Sequence, residues 1–265
     1  MEVVPERGGI ISKLLLGGED IFYLDLSTLE DSSKNVRGGN PILFPICGPL
    51  SGGVYEQDGK TFSMKQHGFA RNLAWETTGI DLGEESATIS VRLESSPVTL
   101  EQYPFEFALD FSYILTNSSL EILQRYENRS NSSMPFYAGF HPYFNAPKKD
   151  AVSISLKASS YHDFLTDQKR SPESVIDFSA TAETNGAFYN VAEPRVVFSN
   201  FGLSHSLEIN FTAPFKHIVV WGLKDKPFIC VEPWMGINNG FNLGESIVYL
   251  EPGQELETSV TFQIF

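Results

Sequence analysis

Strict alternation of apolar with polar side chains is the pattern that most limits what this chain can become. Ala87, Ile89, Val91 and Leu93 are interleaved with Thr88, Ser90, Arg92 and Glu94, and Phe105, Phe107, Leu109, Phe111 and Tyr113 with Glu106, Ala108, Asp110 and Ser112. A strand turns successive side chains to opposite faces, so a period of two predicts half-buried strands. The period recurs in Val152-Ile154-Leu156, Leu207-Ile209-Phe211 and Val260-Phe262-Ile264, each bounded by Gly, Pro, Asn or Ser. Asp58-Gly59, between Val54-Tyr55 and Thr61-Phe62, predicts a hairpin turn. Apolar residues at three-and-four spacing never run far, and the stretches Ser27 to Asp31 and Val98 to Gln102 predict a helical turn or two at most. The expectation is an all-β chain, a large antiparallel β-sandwich with a ligand on a concave outer or open face.

Two average domains would fit in 265 residues, but sandwiches of this size are routinely single and no linker interrupts the chain, so residues 1–265 read as one domain. With 33 acidic against 19 basic residues the formal charge is -14. That field repels a polyanion, and no basic run interleaved with aromatics offsets it, which argues against nucleic acid as a partner. Charge, Gly or Pro breaks every apolar stretch before it could span a bilayer, and Met1 to Arg7 carries no export pattern. A cytoplasmic protein, monomer or homodimer, with no membrane partner is expected. Cys47 and Cys230 sit in apolar company and read as reduced core residues. The glycosylation-type tripeptides at Asn117, Asn128, Asn131 and Asn210 then occur by chance. The polar stretch Thr166 to Thr184 reads as a long surface loop bordering the site.

Chemistry-bearing residues concentrate in four segments. In Arg37-Gly38-Gly39-Asn40-Pro41, the glycines and proline expose Arg37 and Asn40, a fork of donors and an amide suited to sugar hydroxyls or a phosphate; a plain turn with Arg37 solvated is the alternative. His67-Gly68-Phe69-Ala70-Arg71 sets an imidazole beside a glycine, as where backbone approaches a ligand, although Arg71 could equally pair with a carboxylate. In Gly139-Phe140-His141-Pro142-Tyr143-Phe144 the proline holds the preceding backbone extended and so directs His141, with aromatic neighbours that suit either a sugar platform or a core. Glu232 shares strand parity with Phe228, Cys230 and Trp234, and Pro233 is expected to end that strand. A carboxylate in such company needs either a structural ion pair with Arg37 or Arg71, or a catalytic role for a raised pKa.

Common alternatives lack their spacing. The five His residues include no His-x-His or His-Glu-x-x-His pair for zinc, and there is no Gly-x-Ser-x-Gly elbow or Gly-rich phosphate loop. Paired glycosidase carboxylates stay open, with no pair singled out.

Taken in order, these four segments and the closing Pro252-Gly253-Gln254 resemble the aldose 1-epimerase (mutarotase) superfamily, most of all its glucose-6-phosphate 1-epimerase-like branch. The resemblance covers nearly the whole chain. It implies a galactose mutarotase-like supersandwich, no metal or other cofactor, and a small-molecule sugar or sugar phosphate whose α and β anomers are exchanged. By that likeness Glu232 is the base at the anomeric hydroxyl, His141 the acid at the ring oxygen, and His67 a hydrogen-bonding partner that steadies developing charge. Arg37, Asn40 and Arg71 would bind substrate, together with Asp163 in Tyr161-His162-Asp163-Phe164.

Overall fold

The computed structural model describes residues 1–173 and 175–265. Strand accounts for 48% of the chain and helix for 8%, as the alternation predicts. An antiparallel nine-stranded sheet runs in the order Val175–Ile176, Val152–Ser155, Arg195–Ser199, Leu207–Phe211, Glu255–Ile264, Ser119–Asn128, Phe107–Leu115, Ala87–Glu94 and Glu76–Leu82. A second, eight-stranded sheet is built on Gln168–Arg170, Ser160–Asp163, Glu183–Tyr189, His217–Leu223 and Phe228–Trp234, with the short strands Gly139–Phe140, Tyr143–Asn145 and Ile42–Leu43 beyond.

The two sheets bury a shared aromatic core. Phe44 meets Phe107 at a ring separation of 5.0 Å, Phe144 meets Phe262 at 5.8 Å, and Phe111 meets Phe140 at 6.1 Å. In the nine-stranded sheet Leu109 pairs with Tyr126 and Tyr113 with Ile122, so one parity faces the core while Asp110, opposite Arg92 and Arg125, faces water. The eight-stranded sheet departs from that scheme. Its Phe228–Trp234 strand is buried along its entire length, because a satellite cluster of Tyr143, Phe228 and Cys230, joined by Tyr23 and Trp221, covers the face turned away from the main core. Each large apolar side chain buried in this way contributes roughly 1.5–3 kcal/mol, enough together to hold one costly polar residue among them.

Val54–Gln57 and Lys60–Ser63 form the expected hairpin, with Asp58 and Gly59 at φ 51° and 72°. The predicted helical turns are present at Leu26–Glu30 and Pro97–Leu100. Two expectations fail. Pro233 does not end its strand, which continues to Trp234; on the side toward residues 140–142 the ladder is already interrupted, so the missing N–H removes no bond there. Thr166 to Thr184 is not simply a loop, since Gln168–Arg170 pairs with Ser160–Asp163 and Val175–Ile176 pairs with Val152–Ser153; Ser174 within it lies outside the described residues. No helix among the described residues is long and apolar enough to cross a membrane.

Candidate active site

Alternation places Cys230, Glu232 and Trp234 on one face of their strand, and the neighbouring strands decide what they meet. Gly139 pairs with Trp234 and Tyr143 with Cys230 in a single register, so His141, midway between, falls opposite Glu232. Its Nε2 lies 3.6 Å from Glu232 Oε1. The His141 ring stacks on Tyr143 with centroids 4.7 Å apart and planes 12° apart, and its backbone N–H donates to Pro41. Trp234 Nε1 donates to the other carboxylate oxygen, Glu232 Oε2, at 3.1 Å.

His67 arrives from a different direction. Its backbone N–H donates to Gly48 O at 3.0 Å, and the Gly48 N–H donates back to His67 Nδ1 at 2.9 Å. That second bond uses Nδ1 as an acceptor, so a neutral ring carries its proton on Nε2, which stands 3.1 Å from the Gln66 side-chain amide. The His67 backbone sits at φ 69°, a left-handed geometry that costs a non-glycine residue about 1–3 kcal/mol. Gly68 follows at φ 66°, where a Cβ would lie 2.2 Å from the Phe44 carbonyl oxygen. The glycine is therefore required for packing against Phe44, not for approach to a ligand as the sequence suggested. The turn leaves the His67 ring 5.5 Å from that of His141 and 5.7 Å from that of Trp234.

These groups line one cavity of about 320 Å³, at the small end of ligand-pocket volumes. Arg37, His67, Arg71, His141 and Glu232, all proposed from sequence, contribute to its wall. Arg37 stands over Trp221, 5.7 Å from the ring centre, and Arg71 donates to the Gln66 carbonyl at 3.0 Å. Among the described residues neither guanidinium makes a salt bridge, so the structural ion pair offered as an alternative for Glu232 is not formed. Arg71 Nε and His141 Nδ1 are buried without a hydrogen-bond partner among the described residues.

Two proposed residues are not brought here. Asn40 is 2% exposed, tied by its backbone N–H to Ile11 O, and does not line the cavity. Asp163 is in register with Gly186, Val220 and Val231, whereas Glu232 is in register with Val219, Ala187 and His162. One residue of offset turns Asp163 to the opposite face of the sheet, where it accepts the backbone N–H groups of Leu165 and Thr166.

A different acid occupies the wall. Glu183, which sequence reasoning passed over, receives Trp221 Nε1–H at 2.8 Å and Asn185 Nδ2–H at 3.2 Å on one oxygen, and all three residues line the cavity. The available signal was the Glu183-x-Asn185 alternation at the C-terminal end of the polar stretch expected to border the site.

Burial dominates the electrostatics. It raises the Glu232 carboxyl, 1% exposed, well above its ordinary 4.5, opposed by the Trp234 hydrogen bond and the nearby Arg71. It lowers His141 to about 3, with Arg71 adding to the effect, and holds His67 well below 6.5. His141, Cys230 and Glu232 also bring donor atoms within 4.8 Å of one another.

The sequence pattern described as aldose 1-epimerase matches residues 3–263. The chain belongs to the aldose 1-epimerase family. Protein LacX (chromosomal) of Lactococcus lactis subsp. lactis is 27% identical over 235 residues, 78% of this chain and 77% of that protein. A Salmonella typhimurium protein provisionally named as a glucose-6-phosphate 1-epimerase is 27% identical over 154 residues, 58% of this chain and 48% of its own length. Among solved structures, the Slr1438 protein of Synechocystis sp. PCC 6803 superposes with a TM-score of 0.95 at 37% identity, covering 99% of this chain and 90% of that one. A galactose mutarotase-like protein of Lactobacillus casei gives 0.80 at 22% identity, over 98% and 95% of the two chains, and establishes the fold as galactose mutarotase-like. Family members of this kind are isomerases that act on sugars.

Proposed function

We propose that this chain is an aldose 1-epimerase that interconverts the α and β anomers of a hexose by acid/base ring opening and closure, with residues 1–265 acting as one cytoplasmic domain. The observation that carries the reading is the His141 imidazole facing the Glu232 carboxyl at 3.6 Å in a cavity of hexose size. Glu232 takes the proton from the anomeric hydroxyl while His141 delivers one to the ring oxygen, the C1–O5 bond breaks, and the open-chain aldehyde forms. Rotation about C1–C2 presents the other carbonyl face, and reclosure returns both protons. His67 Nε2–H supports the ring or neighbouring oxygen as charge develops.

The pair carries one exchangeable proton. Burial favours its neutral form, with the proton on Glu232 and a neutral imidazole. The reactive form, carboxylate and imidazolium, has the same proton count, and differs by one transfer across the gap between them. The donors of a bound sugar favour the carboxylate, so binding shifts the proton toward His141, where the reaction requires it; Arg71 favours the carboxylate and disfavours the imidazolium alike.

Arg37, Arg71 and Glu183 would orient hydroxyls, with Trp221 and Trp234 offering aromatic surface to the C–H faces of the ring. Two guanidinium groups without ion-pair partners among the described residues favour a second reading, a hexose 6-phosphate; the Glu183 carboxylate on the same wall would repel a dianion, which supports the neutral sugar as the first reading. Polarimetry on freshly dissolved α-glucose, α-galactose and glucose 6-phosphate separates the two by which approach to equilibrium is accelerated. Saturable sugar binding without acceleration of any of them would leave a non-catalytic carbohydrate-binding sandwich instead.

A further inference from the structure

We propose that His141, Cys230 and Glu232 form a binding site for a thiophilic divalent cation at the edge of the cavity, His141 and Glu232 lining it and Cys230 fully buried beside them. Cys230 plays no part in the sugar chemistry above, yet its sulfur lies within 4.8 Å of a donor atom of both reacting residues. The arrangement is built into the sheet. Cys230 and Glu232 alternate on one face of the Phe228–Trp234 strand, and His141 falls opposite Glu232 on the strand beside it. All three side chains are buried, which restricts their rotamers.

The geometry suits a small tetrahedral ion. Bonds of 2.0–2.3 Å give a tetrahedron with edges of about 3.4 Å, and the His141 Nε2 to Glu232 Oε1 distance is already 3.6 Å. The sulfur lies within 4.8 Å of the other two donor atoms, so binding has to draw it toward them to complete the third corner. Trp234 holds Glu232 Oε2, which leaves Oε1 free to ligate and restrains the carboxylate as outer hydrogen bonds do in built metal sites. A nitrogen, sulfur and oxygen set selects Zn²⁺ or Co²⁺ over Mg²⁺ and Ca²⁺, which require oxygen cages. The fourth position is left for a water, reached through the cavity that His141 and Glu232 line. A cation held there occupies both proton-transfer groups and blocks the sugar reaction; that consequence rests on the proposed function, whereas the binding does not.

The test uses the full-length protein and Co²⁺ as a spectroscopic probe, with Zn²⁺ affinity measured by calorimetry. One Co²⁺ per chain should produce a near-ultraviolet sulfur-to-cobalt charge-transfer band and the strong visible absorption of a tetrahedral site. Cys230→Ala should abolish the band and weaken Zn²⁺ binding at least about tenfold, whereas Cys47→Ala, which alters the other thiol, should leave both unchanged. Mg²⁺ should give no binding heat. If Cys230→Ala does not fold, Cys230→Ser, closer in size, carries the same test. Absence of the band in the parent protein, or a band and affinity unchanged in the Cys230 variant, overturns the proposal. In the parent, Zn²⁺ should also slow mutarotation in competition with sugar. A protein that shows the band but no mutarotation retains the metal site and loses the proposed function; mutarotation without the band does the reverse.

Discussion

The outer face of the nine-stranded sheet and the cavity face of its partner use the same residue types to opposite ends. On the outer face Asp110 bridges Arg92 and Arg125 at 2.9 Å each, Glu127 lies 3.0 Å from Arg129, and Glu255 pairs with Arg125. Each of these charges has a partner and solvent nearby, so each pair contributes about 0–1 kcal/mol and none of them is left over for a ligand. In the cavity, Glu232 and His141 are buried at a separation too long for a strong bond, and Arg37 and Arg71 have no acidic partner among the described residues. Burying an ion costs several kcal/mol. Arrangements of that kind persist where the unpartnered groups are used by something else, and in the proposed function that is the sugar.

The sharpest way to break this contrast is to remove one charge from each face. Glu232→Gln should lower the mutarotation rate by about 10²–10⁴-fold with the fold retained, and Asp110→Asn should not change it. His141→Asn should lose rate on the same scale. Equal retention of activity in the three variants removes the catalytic assignment.

Next in size is the response to pH. His141 is held at about 3 in the native protein against 6.5 when free, and His67 and His217 are lowered as well. Between those values the unfolded chain binds protons that the native chain refuses, so the stability contributed by the three imidazoles is present above 6.5 and lost as pH falls. Glu232 opposes them, since its raised carboxyl contributes stability below 4.5 that is lost as pH rises. Three groups outweigh one, and the melting temperature should fall from pH 6.5 to 4.5. The fall should be steeper in Glu232→Gln, and a flat profile in both proteins removes the burial argument. For the same reason the acid limb of kcat/KM should lie below the ordinary imidazole range.

Smaller effects sharpen the boundary of the site. Trp221→Phe removes one hydrogen bond to Glu183 and should raise KM by roughly 2- to 10-fold with kcat nearly unchanged. Asp163→Asn should alter no kinetic constant, because its side chain lies on the other face of the sheet. Asp110→Asn should lower stability to urea by less than about 1 kcal/mol.

Much of this was legible before any coordinates. The alternation in Ala87–Glu94 and in Phe107–Leu115 yields two strands of the larger sheet almost to the residue, since a period of two on one chain reports directly on facing. His67, His141, Glu232, Arg37 and Arg71 were recognisable by type and company. Asn40 was not, because a Gly-rich turn reads as exposed until the chain it packs on is known. Asp163 failed for a related reason: parity within one strand does not reveal parity relative to a strand far along the chain. Glu183 was hidden in a polar stretch whose pairing partners are equally remote.

Local chemistry thus determined that this chain forms strands, that Cys230, Glu232 and Trp234 share a face, and that a carboxylate stands in surroundings hostile to charge. Tertiary structure alone decided that His141 falls opposite that carboxylate, that the Gly48 N–H fixes the His67 ring, and that Glu183 rather than Asp163 joins the wall. The division has a physical origin. Side-chain facing is set by the backbone dihedrals of neighbouring residues, whereas strand register is set by hydrogen bonds and packing between segments far apart in the chain, and a slip of one residue exchanges the two faces.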